Sequence, residues 1–202
     1  MTGKPAHVRD RDRACRLAPD DPAEALAIAR KIEAPWYRAQ ALAYAARFAE
    51  RHRVLAIAQE ACAAADRGED DYQRAAARAW PLCALIERGL EARAREELEV
   101  ALELARRSSP IGSRAEALVL LMEASYALGR SVRLELVDEV ASLDHSGAHW
   151  RVRRAHERAL SLLAHDDLDE ATRRAEVDDP ARARRLRSAA LERAREPRSL
   201  FW

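Results

Sequence analysis

Small and apolar residues recur along this chain at intervals of three and four residues, the spacing that places side chains on one face of an α-helix. The clearest segments carry Ala39, Leu42, Ala46 and Ala49; Ala75, Leu82 and Leu85, with Arg78 at the matching fourth position; and Ala115, Leu118, Met122 and Ser125. A second face of the same segments is also apolar, and it includes Tyr44, Trp80 and Leu120. A helix that is apolar on two faces needs neighbours on both sides, so these segments predict an inner layer of packed helices.

Each of these segments ends in a polar or glycine-containing break, which a second helical pattern follows. The second helices are predicted over residues 54–66, 90–107, 131–143 and 168–177. Gly89 and Gly129 lie in two of the breaks, where glycine accepts the left-handed conformation that closes the last turn of a helix. A further helix is predicted over 22–32, with Asp21 as its N-cap. Pro81 predicts a kink or a break in the helix that contains it.

A short motif marks the start of each unit: an arginine, a small residue, any residue and an alanine. It begins at Arg38, Arg74 and Arg114 and, less regularly, near Arg154 and Arg187. The steps between these arginines are 36, 40, 40 and 33 residues. Repeats of this length are typical of stacked helix pairs. The sequence therefore predicts an all-α fold, an α-solenoid of about four and a half antiparallel helical hairpins with a period of 33–40 residues.

The predicted organisation is one helical-repeat domain at residues 21–196 between two short flanking segments. Residues 1–20 are an N-terminal extension that adds a short helix or stays loose. Residues 197–202 are an apolar tail that ends in Leu200, Phe201 and Trp202. The tail either covers the flank of the last repeat or docks on another copy or another protein.

The units resemble tetratricopeptide-type helical repeats over about residues 22–195. The matching small positions of the second helix are Ala58, Ala65, Ala94, Ala101 and Ala141. Gly89 and Gly129 lie where that family turns between its two helices. HEAT-like repeats are the alternative resemblance, because arginine near a helix start after an Asp/Pro loop is common there. Either resemblance implies a scaffold that binds proteins or peptides in a groove lined by the first helices.

The composition also favours helices, since 45 of the 202 residues are alanine, whereas Val, Ile and Thr together number 16. A net charge of +1 is too small to imply nucleic acid or an anionic membrane. Arginine outnumbers lysine heavily, which fits either a GC-rich bacterial genome or the recognition of phosphate and carboxylate groups. The three cysteines lack a pairing pattern, and no signal-like or membrane-spanning apolar segment is present. A cytoplasmic bacterial protein is therefore predicted.

The motifs of nucleophilic catalysis and of phosphate or dinucleotide binding are missing, so the protein is predicted not to be an enzyme. No catalytic residue, metal ligand or cofactor is assigned. The histidine cluster of His145, His149 and His156 lacks the spacing of a metal site. We expect these histidines in a solvent-exposed loop and helix start.

Arg38, Arg74 and Arg114 are candidate partner-binding residues, because they lie near helix N-termini, where a cation is unfavourable. One interpretation is a ladder of ion pairs with the acids just before these helices, such as Glu33 and Asp71. The other is a row of arginines that binds an acidic peptide or a phosphate. Tyr44 and Trp80 share one column and are either anchors for a bound peptide or helix, or core residues beneath the next layer.

The main functional hypothesis is a non-enzymatic interaction module that binds a peptide or helix of a partner protein. The first alternative is a nucleic-acid-binding or DNA-repair protein that uses the basic segments 151–158 and 182–187. Acids interleave with these arginines, which favours a solvated face instead. The second alternative is a self-assembling structural protein, a homo-oligomer that docks through its C-terminal tail.

Overall fold

The computed structural model describes residues 4–143, 150–178 and 180–192, and within them the fold is all-α, with no strand. The helices are α1 (Ala6–Leu17), α2 (Pro22–Lys31), α3 (Pro35–Ala46), α4 (Val54–Ala65), α5 (Asp71–Glu87), α6 (Glu91–Arg107), α7 (Ile111–Ser125), α8 (Arg130–Ala141), α9 (Trp150–Leu163), α10 (Leu168–Asp178) and α11 (Pro180–Glu192). Single turns of 3-10 helix precede α4 and α8. The predicted tail, with Leu200, Phe201 and Trp202, lies outside the described residues.

Local signals explain where the helices begin and end. The Asp21 carboxylate accepts a hydrogen bond from the Glu24 N–H at 2.9 Å, and Asp70 accepts one from the Gln73 N–H at 2.7 Å. These caps satisfy amides that have no partner inside the helix. At the end of α5, Gly89 has a φ of +72° and the Leu90 N–H donates to the Leu85 carbonyl at 2.9 Å. The prediction that glycine closes this helix is confirmed.

The helices pack in two ways that depend on their order in the chain. The odd-numbered helices α1, α3, α5, α7 and α9 form a continuous row, in which each helix packs against the next. Each even-numbered helix from α2 to α8 packs between the odd-numbered helices before and after it. Among the described residues, no two even-numbered helices pack closely on each other. The row of odd-numbered helices therefore forms the spine of the molecule.

The interior of this spine is the column of small and apolar positions seen in the sequence. Its members Leu42, Ala75, Leu82, Leu118 and Met122 are all at most 1% exposed. Alanines fill most of the remaining contacts between helices and allow the backbones to approach closely. One member of the column is charged: Arg78 of α5 is 6% exposed and occupies the place that leucine has in α3 and α7.

Ion pairs connect helices that lie 30 to 36 residues apart in the sequence. Arg30 of α2 binds Glu60 of α4 through two hydrogen bonds of 2.8 Å, across 30 residues. The Arg106 Nε donates to Glu139 at 3.0 Å across 33 residues, which joins α6 to α8. Arg174 of α10 pairs with Asp138 of α8 across 36 residues. The even-numbered helices that these pairs join are thus linked by charged side chains rather than by a packed core.

Two expectations change with the structure. Pro81 lies inside α5, which continues as one α-helix to Glu87, so of the predicted kink or break, the break does not occur. The helix persists because a proline removes only one backbone hydrogen bond, while α5 is buried against four neighbouring helices. His156 is 4% exposed on α9 rather than at a solvent-exposed helix start, and His145 and His149 lie outside the described residues.

Candidate functional site

A groove of about 550 Å³ runs between α7 and α9, on the row of odd-numbered helices. Val119 and Leu120 of α7 and Ala155 of α9 form its apolar floor, and the Tyr72 ring of α5 closes one part of it. Val119 and Leu120 are only partly buried, so apolar surface remains accessible at the floor. This volume lies within the range of sites that bind small molecules or a few side chains of a peptide.

Helical spacing brings the charged walls of the groove together. On α7, Glu116 and Glu123 lie seven residues apart, and they flank the apolar pair of the floor on the same face. On α9, Arg151, Arg154 and Arg158 follow one another at steps of three and four residues and form the opposite wall. One wall is therefore acidic, and the other carries the three arginines together with Glu157.

Two ion pairs cross the groove in the same register. The Arg151 Nε lies 3.4 Å from Glu116 Oε1, and the Arg158 Nε donates to Glu123 Oε1 at 2.6 Å. Both pairs span 35 residues. The residue 35 positions before Arg154 is Val119, which is uncharged and cannot form an ion pair with it. Arg154 is exposed and forms no hydrogen bond or ion pair within the part of the chain that the structure describes.

Tyr72 joins the groove to an aromatic cluster of Trp36, near the start of α3, and Trp80, in the middle of α5. Its ring centroid lies 6.3 Å from that of Trp36, and Trp36 in turn meets Trp80 edge to face at 5.0 Å. Burial raises the pKa of the Tyr72 phenol, and the neighbouring Glu116 carboxylate raises it further. Tyr72 is therefore a neutral hydrogen-bonding group with an apolar body at neutral pH.

The two predicted aromatic anchors occupy different environments. Trp80 is 9% exposed and packs in the core against Trp36. Tyr44 is half-buried, its ring lies 5.5 Å from that of Phe48, and the Arg47 guanidinium lies 5.1 Å from the Tyr44 ring centroid. The residues that line the groove include neither Tyr44 nor Trp80, but they include Leu120, which follows them in the same column. Binding by Tyr44 or Trp80 stays a prediction.

The three predicted arginines lie on separate helices and not in the groove. The Arg74 Nε donates to the Gly68 carbonyl at 2.9 Å, and Arg74 Nη1 lies 3.6 Å from Asp71, one of the acids expected to pair with it. Arg38 borders a small pocket of about 120 Å³ beside Glu60. The Arg114 Nε is buried without a hydrogen-bond partner among the described residues.

Sequence reasoning missed the charged walls of the groove. The sequence favours a solvated basic face over nucleic-acid binding at residues 151–158, and it does not single out Glu116, Glu123 or Tyr72 as site residues. The sequence does contain a signal for these walls. Arg151 lies 35 residues after Glu116, and Arg158 lies 35 residues after Glu123, which is within the 33–40 residue spacing of the motif. That offset becomes meaningful only when α7 and α9 are known to be neighbours.

The other chemical groups give no second candidate of equal strength. Burial raises the pKa of the Cys15 thiol to about 11 and also raises that of Cys62, so both thiols stay protonated at neutral pH. Within the described residues, no cluster of His, Cys, Asp and Glu could hold a metal ion. In the same part of the chain, no helix is long and apolar enough to cross a membrane.

The comparisons with known proteins found no match for this chain: no family model matches it, and neither a curated protein nor a solved structure matches it. Function is therefore inferred from the packing of the helices and from the groove between α7 and α9.

Proposed function

We propose that this chain is an α-solenoid of tetratricopeptide-like or HEAT-like helix pairs and that it binds other proteins in the bacterial cytoplasm without catalysing a reaction. The alternation of a continuous row of odd-numbered helices with intervening even-numbered helices supports the solenoid. Ion pairs and hydrogen bonds that span 30–40 residues support a repeat of about that length. Such arrays offer extended surfaces for binding.

The proposed occupant of the groove between α7 and α9 is a peptide segment of a partner protein. The observation that carries this proposal is the apolar floor of Val119 and Leu120, left partly exposed between two charged walls. An apolar centre with a polar rim is the usual anatomy of a protein-binding surface. A side chain of the peptide would cover the floor, while the peptide backbone and its polar groups would face Tyr72 and the walls.

Nucleic-acid binding has less support from the same groove. Its arginines stand beside Glu116, Glu123 and Glu157, so the site as a whole carries no positive excess of the kind that a phosphate backbone needs. Self-assembly through Leu200, Phe201 and Trp202 stays a prediction, since these residues lie outside the described part of the chain.

Selection of peptides on the full chain tests the proposal. A phage library of random dodecapeptides is panned against the protein, and one enriched peptide is synthesised for titration by fluorescence anisotropy. Leu120→Glu places a charge on the floor and should weaken binding by about tenfold or more. Val100→Glu is the matched control, because Val100 is a 46% exposed apolar residue of α6 outside the groove.

Circular dichroism and thermal melts of both variants separate loss of binding from loss of folding. Equal affinity of wild type and Leu120→Glu would remove the groove from the proposal. A library that yields no specific peptide would overturn the proposed function itself.

A further inference from the structure

We infer that the groove recognises one acidic side chain of the bound peptide, which the Arg154 guanidinium receives between two closed ion pairs. This inference rests on the proposed function and specifies the chemistry of the peptide. The ligand it implies is a segment in which a single Asp or Glu is followed or preceded by an apolar residue. The acid binds Arg154 and the apolar residue covers Val119 and Leu120.

The register between the two walls distinguishes Arg154 from the arginines on either side of it. An offset of 35 residues matches Arg151 with Glu116 and Arg158 with Glu123. The same offset matches Arg154 with Val119, so the middle arginine faces the floor where the outer two face carboxylates. An anionic group of a ligand increases binding affinity most when it pairs with a cation in the groove that has no intramolecular partner.

The spacing limits the ligand to one charge at this place. With a rise of about 1.5 Å per residue, Arg151 and Arg158 lie about 4.5 and 6 Å from Arg154 along the axis of α9. Both neighbours are already paired with glutamates of α7. A second anionic group at either position would meet Glu116 or Glu123, and the repulsion between like charges opposes it.

This arrangement favours an acidic peptide over a nucleic acid. A nucleic-acid strand carries a phosphate on every nucleotide, so the phosphates next to the one at Arg154 would lie against the acidic wall. A peptide can place one carboxylate at Arg154 and uncharged residues on either side. The planar guanidinium suits a carboxylate because it can donate two parallel hydrogen bonds to it.

The apolar floor explains why the groove would bind the acidic side chain of the peptide together with a neighbouring apolar side chain. An exposed arginine alone gives a weak and salt-dependent contact with a carboxylate. Val119, Leu120 and Tyr72 line the same groove as Arg154, and an apolar side chain that covers them would exclude water from it. The hydrogen bonds between the acid and Arg154 are then shielded from solvent and contribute more to affinity.

Peptide variants measured against variants of Arg154 test this inference. The probe is an enriched dodecapeptide, synthesised with Glu, Gln or Lys at its most strongly selected acidic position. Wild type should bind the Glu peptide about tenfold more tightly than the Gln peptide, and Arg154→Gln should bind the two equally. Arg154→Glu should prefer the Lys peptide. Arg153→Gln is the matched control, because Arg153 is an exposed neighbour on α9 that does not line the groove.

The outcomes separate this inference from the proposed function. Peptides that depend on Leu120 but show no acidic preference, or that bind Arg154→Gln as tightly as wild type, would overturn the inference and leave the peptide-binding module standing. A library without specific binders would remove both. A single-stranded oligodeoxynucleotide that binds more tightly than the Glu peptide and loses affinity in Arg154→Gln would show that the cation serves a polyanion instead.

Discussion

The Arg78 guanidinium and the Glu97 carboxylate form an ion pair that is buried between α5 and α6. The two residues are 6% and 8% exposed. Each has a second, more exposed partner: Arg78 Nη2 donates to Asp66 Oδ1 at 2.6 Å, and Arg93 Nη2 lies 3.3 Å from Glu97 Oε1. The pair replaces an apolar contact in the spine, because α3 and α7 carry leucine at the corresponding place.

Arg78→Leu should lower the free energy of unfolding by about 3 kcal/mol, because it leaves the Glu97 carboxylate buried without its main partner. Arg93 remains close to Glu97, so the loss belongs at the lower end of the range for broken buried pairs. Urea unfolding of both proteins measures the change. A loss below about 1 kcal/mol would mean that solvent reaches Glu97 and that the pair is not effectively buried.

The double variant Arg78→Leu, Glu97→Leu should recover most of this loss. Both charges are then gone, and an apolar pair of similar volume fills the same space at no desolvation cost. The comparison of the two single variants with the double variant gives the coupling between Arg78 and Glu97. Additive losses would contradict a direct contact between the two side chains.

Positions 89 and 129, both glycine, should differ in the substitutions that they tolerate. Gly89 has a φ of +72° at the end of α5, so Gly89→Ala should cost about 1 kcal/mol and Gly89→Asn less, since asparagine tolerates this region. Gly129 has a φ of 105° and a ψ of 172°, which is open almost only to glycine, so alanine and asparagine should each cost about 2 kcal/mol there.

Thermal melts of the four glycine variants check this expectation. Neither glycine has a neighbouring atom within 4 Å of an added Cβ, so any loss reflects backbone conformation and not a steric clash. Equal tolerance of asparagine at both sites would contradict the difference in conformation.

Trp80→Ala should destabilise the protein by about 3 kcal/mol, because it removes a large buried side chain from the core and from its contact with Trp36. Tyr44→Ala should cost about 1 kcal/mol, because Tyr44 is half-buried. Chemical unfolding measures both. A small effect of Trp80→Ala would favour the anchor interpretation of this residue over the core interpretation.

Glu170 should make the protein sensitive to acid. Hydrogen bonds from Arg173, and then from Arg174, lower the pKa of its carboxylate from 4.5 to about 2. A lowered pKa in the folded state means that the ionised carboxylate stabilises the fold above pH 4.5 and that this contribution is lost as the pH falls towards 2.

The melting temperature of wild type and Glu170→Gln, measured between pH 2 and pH 6, checks the sign. The difference between the two proteins should be largest near pH 6 and should shrink as the pH falls. A difference that grows towards low pH would contradict the lowered pKa. High salt should reduce the difference as well, because Arg173 is an exposed partner.

The helices were largely predictable from sequence because their signals are local. Asp21, Gly89 and the spacing of alanines and leucines all act within a few residues, and α2, α4 and α6 begin and end within two residues of the predicted bounds. The continuity of α5 through Pro81 was not predictable in this way. It depends on the neighbouring helices that bury α5, and these are distant in sequence.

The site was harder to predict because it depends on which helices are neighbours. The sequence places Leu120 in the apolar column and Arg154 at the start of a motif copy, but it predicts neither as a site residue. The contrast between Arg154 and the paired Arg151 and Arg158 appears only when α9 is aligned against α7. Likewise, a charged residue at position 78 of the apolar column is explained only by its contact with Glu97 of α6.

The two kinds of linkage between helices give the molecule a stiff edge and a compliant edge. Alanine contacts hold the odd-numbered helices at a fixed separation, because a close-packed interface leaves no free volume for the helices to move. Arg30 with Glu60 and Arg106 with Glu139 join even-numbered helices through long, solvated side chains, which rearrange at little cost. In concentrated salt, we expect neighbouring even-numbered helices to separate from one another while the row of odd-numbered helices keeps its spacing.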